Sequence, residues 1–169
     1  METELGAELV IVSYRRNDIL EATLQSIRRL YPDLPVCLGL QGEDAEALAV
    51  ALQSSFAVRT VCLPAPSVTE SLNRCILSSS ADLVLMLDDD AIPCPGWLEA
   101  HLASFKTDPD LAYNSGREVR LRGGRSVGSE LVRIPVESLL RLMVPKEACL
   151  LYTSPSPRDQ RGSRMPSSA

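Results

Sequence analysis

The sequence predicts an α/β protein built on a doubly wound, mostly parallel sheet flanked by helices. Short apolar runs alternate with stretches of helical spacing from residue 9 to residue 105, and this alternation is typical of parallel sheets. The fourth apolar run, residues 83–87, has no polar side chain, as expected of a strand buried on both faces. A length of 169 residues, 45% of them hydrophobic, suits one domain.

The first half of the chain contains two strand and helix pairs. Residues 9–12 predict the first strand, and Asn17 or Asp18 is positioned to cap the helix that follows. The second strand is predicted at residues 36–40 and the second helix at 43–52. The apolar positions of the first helix recur at helical spacing and are Ile19, Leu20, Leu24, Ile27 and Leu30.

The third strand is predicted at residues 58–63, and Ser67 is positioned to cap the third helix. Pro95 fits the first turn of a fourth helix. Beyond it we expect a strand at 111–115, a hairpin of residues 118–121 and 126–134, and a helix beginning near 138. The apolar positions of the third helix are Val68, Leu72, Cys75, Ile76 and Leu77.

Composition excludes several classes of protein. A net charge of -5 argues against a general nucleic-acid binder, and no apolar run is long enough for a membrane span. The N-terminal residues lack the features of a signal peptide, and the five cysteines form no C-x-x-C pair. We therefore expect a cytoplasmic protein with reduced cysteines, and with its single histidine, His101, on a helix surface.

The last 21 residues differ in character from the rest. Residues 149–159 and 163–169 resemble a translated reading frame of a transposase-type sequencing adapter. The alternative is a natural disordered tail rich in serine and proline, and neither interpretation contributes to a fold. We therefore expect residues 1–148 to form the domain. If the adapter interpretation holds, these residues are a truncated part of a longer protein.

Three consecutive carboxylates, Asp88, Asp89 and Asp90, follow the fourth apolar run. Unpaired charges are costly to bury, so we expect these residues at the carboxyl edge of the sheet, where open α/β folds bind ligands. Clustered carboxylates suit Mn²⁺ or Mg²⁺. A solvated acidic turn is the alternative.

Further polar residues accompany the predicted edge. Ser13, Tyr14 and Arg15 end the first strand, and the third helix carries Asn73 and Arg74. Arginine suits bidentate contact with phosphate, and a tyrosine ring can pack on a nucleobase. The alternatives are a solvated arginine, a tyrosine that packs within the protein and polar residues on a helix surface.

Three segments together resemble glycosyltransferase family 2 on the GT-A (Rossmann-like) fold. Residues 10–16 are similar to the opening strand of that family, and residues 71–76 are similar to a later helical element. The most specific part is residues 87–99, which resemble the family's Leu-Asp-x-Asp motif and the Pro-x-Pro-x-Trp-Leu helix start. The resemblance covers roughly residues 9–116.

This resemblance implies a domain that transfers a sugar from a nucleotide-sugar donor to an acceptor, either a glycan, a lipid or a protein. Asp88 and Asp90 would hold Mn²⁺ or Mg²⁺ on the donor diphosphate, whose leaving group the metal would neutralise. Asp89 would contact the ribose or sugar, and Ser13 and Tyr14 would border the nucleoside. The complete set of implied donor-binding residues is Ser13, Tyr14, Arg15, Gln41, Asn73, Arg74 and Asp89.

One departure concerns base recognition. Leu40 stands where the family usually has a base-reading aspartate, so Gln41 would supply the hydrogen bonds instead. No general base is assigned, since Glu118 and Glu130 are unsupported candidates. Two other functions stay open: a metal-dependent nucleotidyltransferase, although the loop after the first strand lacks glycine, and a non-catalytic nucleotide-sugar binding module.

Overall fold

The computed structural model describes residues 5–116, 119–122, 125–128 and 133–135, the last three segments as backbone alone. Its contacts divide the chain into two compact units, Met1–Leu98 and Glu99–Ala169. In chain order, the elements up to residue 107 are β1 Ala7–Tyr14, α1 Asn17–Leu30, β2 Val36–Gln41, α2 Ala45–Ser55, β3 Arg59–Leu63, α3 Val68–Leu77, β4 Leu83–Asp88 and α4 Trp97–Thr107.

The first unit is built on a four-stranded sheet in the order β3-β2-β1-β4, and all three pairings are parallel. Each consecutive pair of strands is joined through a helix, as parallel neighbours require. β1 therefore lies inside the sheet, with Leu9 opposite Val36 on one side and opposite Leu85 on the other. The predicted alternation of strands and helices is confirmed.

The core occupies both faces of this sheet because successive side chains of a strand point to opposite sides. On one face, Leu9 and Ile11 of β1 are buried with Leu20 and Leu24 of α1 and with Leu52 of α2. The other face carries a smaller cluster of Val10, Cys37 and Cys75. Cys37, Cys62, Cys75 and Cys94 are free thiols, as expected.

The expectation that β4 is buried on both faces is wrong. Within the described residues β4 lies at the edge of the sheet, and Met86 is 48% exposed. Ile19, Val68 and Leu77 also match the helical spacing but are exposed. Spacing identifies the face of a helix, whereas burial depends on which positions the sheet covers.

One of the two predicted helix caps is confirmed. The Ser67 hydroxyl accepts a hydrogen bond from the Glu70 amide at the start of α3. For α1, however, the N-cap residue is Arg16, without a side-chain cap, and Asn17 is already helical. Pro95 precedes α4, which begins at Trp97.

The second unit contains β5 Leu111–Asn114, β6 Val119–Arg122, β7 Arg125–Gly128 and β8 Arg133–Pro135. β6 and β7 pair antiparallel with Arg122 opposite Arg125, which confirms the hairpin. The strand expected at 126–134 is instead two elements, since β8 pairs with β5. His101 is buried, contrary to expectation.

The helix expected from residue 138 and the tail at 149–169 lie outside the described residues. None of the described helices combines the length and the apolar character needed to cross a bilayer.

A partly buried ion pair stabilises the amino edge of the sheet. Arg59 donates from Nη2 to Glu8 Oε2 at 2.9 Å and from Nε to Glu8 Oε1 at 3.2 Å. Its Nη1 also donates to the Ser78 hydroxyl at 2.6 Å. Burial tends to raise the pKa of Glu8, but the hydrogen bonds from Arg59 and Ser79 and the charge of Arg59 outweigh it, so this pKa is lowered below 4.5.

We expect Glu8 to make the fold sensitive to acid. A carboxylate whose pKa is lowered by folding stabilises the protein above its unfolded pKa, and this stabilisation is lost as the pH falls through the folded pKa. Urea unfolding of the wild type should therefore show stability falling below about pH 4.5. Glu8→Gln should lose less stability over the same interval, and an equal loss in both proteins would contradict this assignment.

Candidate functional site

The carboxyl edge of β1 and β4 brings two distant segments together. Val12 lies opposite Asp88 in the parallel register, so the residues that follow each strand emerge at the same edge. The Ser13 hydroxyl donates a hydrogen bond of 2.6 Å to Asp89 Oδ2. Thr23 of α1 donates from its hydroxyl to the Asp89 carbonyl at 2.8 Å. The expected convergence of these two strand ends is thus present.

The three aspartates have different environments. Asp89 is 5% exposed, whereas Asp88, at the end of β4, and Asp90, in the turn that follows the strand, are exposed. Both carboxylate oxygens of Asp89 accept hydrogen bonds within the protein, from Ser13 and Arg16. Little of Asp89 is open to a ligand, and its contact with a donor stays a prediction.

Arg16 is a site residue that the sequence analysis did not identify. Its Nη1 donates to Asp89 Oδ1 and its Nη2 to Asp90 Oδ2, each at 2.7 Å. The hydrogen bond with Asp90 and the charge of Asp89 raise the pKa of Arg16 above its ordinary value. The sequence shows opposite charges at residues 15–16 and 88–90, which could have suggested this contact. It does not show the strand register that brings them together.

The exposed carboxylates of Asp88 and Asp90 fit a hard divalent cation. No group of three or more His, Cys, Asp or Glu side chains in the described part of the chain is arranged to hold a metal. Mg²⁺ and Mn²⁺ nevertheless accept one or two protein carboxylates when water and substrate phosphates supply the remaining ligands. Asp88 and Asp90 could therefore hold such a metal, with water and phosphate oxygens as its remaining ligands.

An aromatic and basic surface lies beside the acids. Tyr14 is partly exposed, and the Arg15 guanidinium lies 5.3 Å from the centre of its ring. Arg15 has a φ of 53°, a left-handed conformation that costs a residue with a side chain about 1 to 3 kcal/mol. Residues 15–19 line a surface depression of about 380 Å³, so Arg15 and Arg16 both border open space.

Gly42 allows the Tyr14 ring to lie close to the end of β2. Its φ is 113°, which favours glycine, and a Cβ there would lie 3.4 Å from Tyr14 Cε2 and 3.2 Å from Asp44 Oδ1. Tyr14 and Gln41 are opposite each other in the register of β1 and β2. The structure thus places Gln41 next to Tyr14.

Gln41 has an unused hydrogen-bond donor. The side chain is 3% exposed, and its Oε1 accepts a hydrogen bond of 2.6 Å from the Ser67 amide. That bond fixes the orientation of the amide group, and Nε2 has no partner among the described residues. A buried polar group without a partner is costly, so this donor is suited to a ligand oxygen.

Asn73 and Arg74 both lie on α3. Both are exposed on α3, and Arg74 donates to Glu70 Oε1 at 2.6 Å within the helix. Arg74 lies in the last turn of α3, beside Cys75, whose carbonyl accepts from Arg59 at the amino edge of the sheet. Their roles in donor binding stay predictions, and Glu118 and Glu130 lie outside the described residues.

The family of the chain follows from a match along most of its length. A family model described as "Glycosyltransferase like family 2" matches residues 6–133, which include both strand ends of the site. The chain belongs to this family. It is therefore a glycosyltransferase-like domain.

A solved structure supports the fold of this family 2 domain. The crystal structure of S. aureus TarS matches with a TM-score of 0.50 at 12% identity, over 73% of this chain and 23% of that one. At this identity the likeness shows the fold alone, and it confirms the expected GT-A-like α/β class. The family 2 domain spans about a quarter of the length of TarS. No curated protein matches the sequence of this domain.

Proposed function

We propose that this domain binds a nucleotide-sugar donor at the carboxyl edge of β1, β2 and β4 and takes part in sugar transfer to an acceptor. The acceptor is a glycan, a lipid or a protein. The observation that carries the proposal is the register of Val12 with Asp88. This register gives one sheet edge both an exposed acidic pair and an aromatic, basic surface.

The nucleoside would lie against Tyr14. The exposed part of the ring offers a stacking face, and Gly42 keeps the backbone beneath it free of a side chain. The unused Nε2 of Gln41 would donate to a carbonyl oxygen of the base. Pyrimidines and guanine both have such an oxygen, so Gln41 alone does not select uridine.

The diphosphate would lie between the arginines and the acidic pair. Asp88 and Asp90 would hold Mn²⁺ or Mg²⁺, which supplies Lewis-acid stabilisation of the departing nucleoside diphosphate. Arg15 borders the depression lined by residues 15–19 and would donate hydrogen bonds to phosphate oxygens. Asp89 would orient Arg16 from its buried position.

Calorimetric titration with UDP and GDP tests the proposal. We expect either nucleotide to bind at least about tenfold more tightly with Mn²⁺ than with EDTA, a difference of about 1.4 kcal/mol. Asp90→Asn keeps the shape of the side chain but removes one charge, and it should abolish most of this difference. Asp33→Asn, the same change at an exposed position before β2, should leave the difference intact.

Equal affinity in Mn²⁺ and EDTA would contradict the metal site. A solvated acidic turn predicts that result, together with no effect of Asp90→Asn. Stronger binding of GDP than of UDP would not contradict the metal site. It would agree with the replacement of the usual aspartate by Leu40.

A further inference from the structure

We propose that Arg16 is an internal counter-ion that competes with the divalent cation for Asp90 and then turns to the donor diphosphate. Arg16 is thus a positioning residue that controls metal loading. This inference rests on the proposed function, because it concerns how the same site is filled. It starts from the two contacts of one guanidinium group, which use different nitrogens.

The two contacts of Arg16 differ in how firmly they are held. Asp89 is buried and also accepts from Ser13, so the bond from Nη1 anchors the guanidinium at the site. The Asp90 side chain is 52% exposed, and that of Arg16 is 43% exposed. Exposed ion pairs contribute little stability, so Nη2 can leave Asp90 while Nη1 keeps its partner.

One oxygen of Asp90 cannot accept a hydrogen bond from Arg16 and coordinate a divalent cation in the same direction. Asp90 Oδ2 accepts from Arg16 at 2.7 Å, and a divalent cation would need that carboxylate beside Asp88. The cation would also repel the guanidinium. Arg16 should therefore yield Asp90 when the metal binds.

The released nitrogen has a ready partner in the proposed donor. A guanidinium donates in a fixed planar fork that matches phosphate oxygens, and Arg16 would stay fixed by Asp89 with Nη2 exposed. Binding of the metal and of the diphosphate should then assist each other. The metal frees Nη2, and the diphosphate accepts the bond that Asp90 has lost.

Titration with Mn²⁺ alone, followed by electron paramagnetic resonance, tests the competition. We expect Arg16→Gln to bind Mn²⁺ about twofold to fivefold more tightly than the wild type, because a competing cation is removed. The same variant should bind UDP more weakly in Mn²⁺, since a phosphate contact is lost. Arg29→Gln removes the same charge from an exposed position in the last turn of α1 and should change neither affinity.

A second measurement does not depend on the variant. The side-chain ¹⁵Nε resonance of Arg16 in the wild type should shift on titration with Mg²⁺, and it should shift again with UDP. Equal or weaker Mn²⁺ binding by Arg16→Gln, or an unchanged Arg16 resonance, would overturn the inference.

The outcomes separate this inference from the proposed function. Metal-dependent binding of UDP to the wild type, together with unaltered Mn²⁺ affinity in Arg16→Gln, would leave the donor site intact and remove the counter-ion role. Failure of the wild type to bind Mn²⁺ with or without UDP would overturn both.

Discussion

Replacing Gly39 with alanine is expected to destabilise the fold by about 2 to 3 kcal/mol. Gly39 lies in β2 beneath α3, where a Cβ atom would overlap the Ser71 hydroxyl oxygen and lie 3.0 Å from Val12 Cγ2 and 3.2 Å from Cys75 Sγ. Ser71 and Cys75 are fully buried, so neither can move into solvent. Urea unfolding measured by circular dichroism gives the free energy of unfolding.

Ser71 provides the matched test of this expectation. Its hydroxyl is buried without a partner among the described residues, so Ser71→Ala alone should cost little. Gly39→Ala should cost clearly less in the Ser71→Ala protein than in the wild type, because the overlapping oxygen is gone. Gly6→Ala is the control, because its Cβ would meet Asp82 Oδ2 at an ordinary contact distance of 3.4 Å. If the two substitutions lower the free energy of unfolding additively, the overlap with Ser71 is not the cause of the destabilisation by Gly39→Ala.

Asp89→Ala is expected to lower the free energy of unfolding by about 2 kcal/mol. The substitution leaves the buried Ser13 hydroxyl and Arg16 Nη1 without their acceptor. The cost should lie below that of a fully buried ion pair, because Arg16 is partly exposed and can turn to water. The measurement is again urea unfolding.

The neighbouring Asp88 supplies the comparison. Asp88 is exposed at the end of β4, and Asp88→Ala should change stability by no more than about 0.5 kcal/mol. We therefore expect Asp88 to affect ligand binding and Asp89 to affect stability. Equal losses of stability in the two variants would contradict the division of roles between these adjacent carboxylates.

The local features of the fold could be predicted from the sequence. The alternation of strands and helices, the Ser67 cap and the antiparallel pairing of β6 with β7 join residues that are close in sequence, and all three are present. Features that depend on distant pairing could not be predicted. The exposure of Met86 follows from the edge position of β4, and the pairing of β8 with β5 follows from neither segment alone.

The candidate site divides in the same way. The sequence places Ser13 and Asp89 at the same edge, because parallel strands end together, and the structure joins them by a hydrogen bond. It does not reveal that Arg16 bridges Asp89 and Asp90, because that contact requires the register of β1 with β4 and the start of α1. The position of Arg74 could not be predicted without knowing the length of α3, because Arg74 lies in the last turn of that helix.

The central position of β1 has a consequence for how the chain folds. β1 and β2 are joined by a single helix, whereas Ser13 and its partner Asp89 are 76 positions apart. Closing the longer loop costs more chain entropy, and such non-local contacts slow folding. We therefore expect β1, β2 and β3 to pair first during synthesis and β4 to add last. The edge proposed to bind the donor would then be absent from early folding intermediates. The open side of β1 would be the surface most exposed to wrong pairing while β4 is still being made.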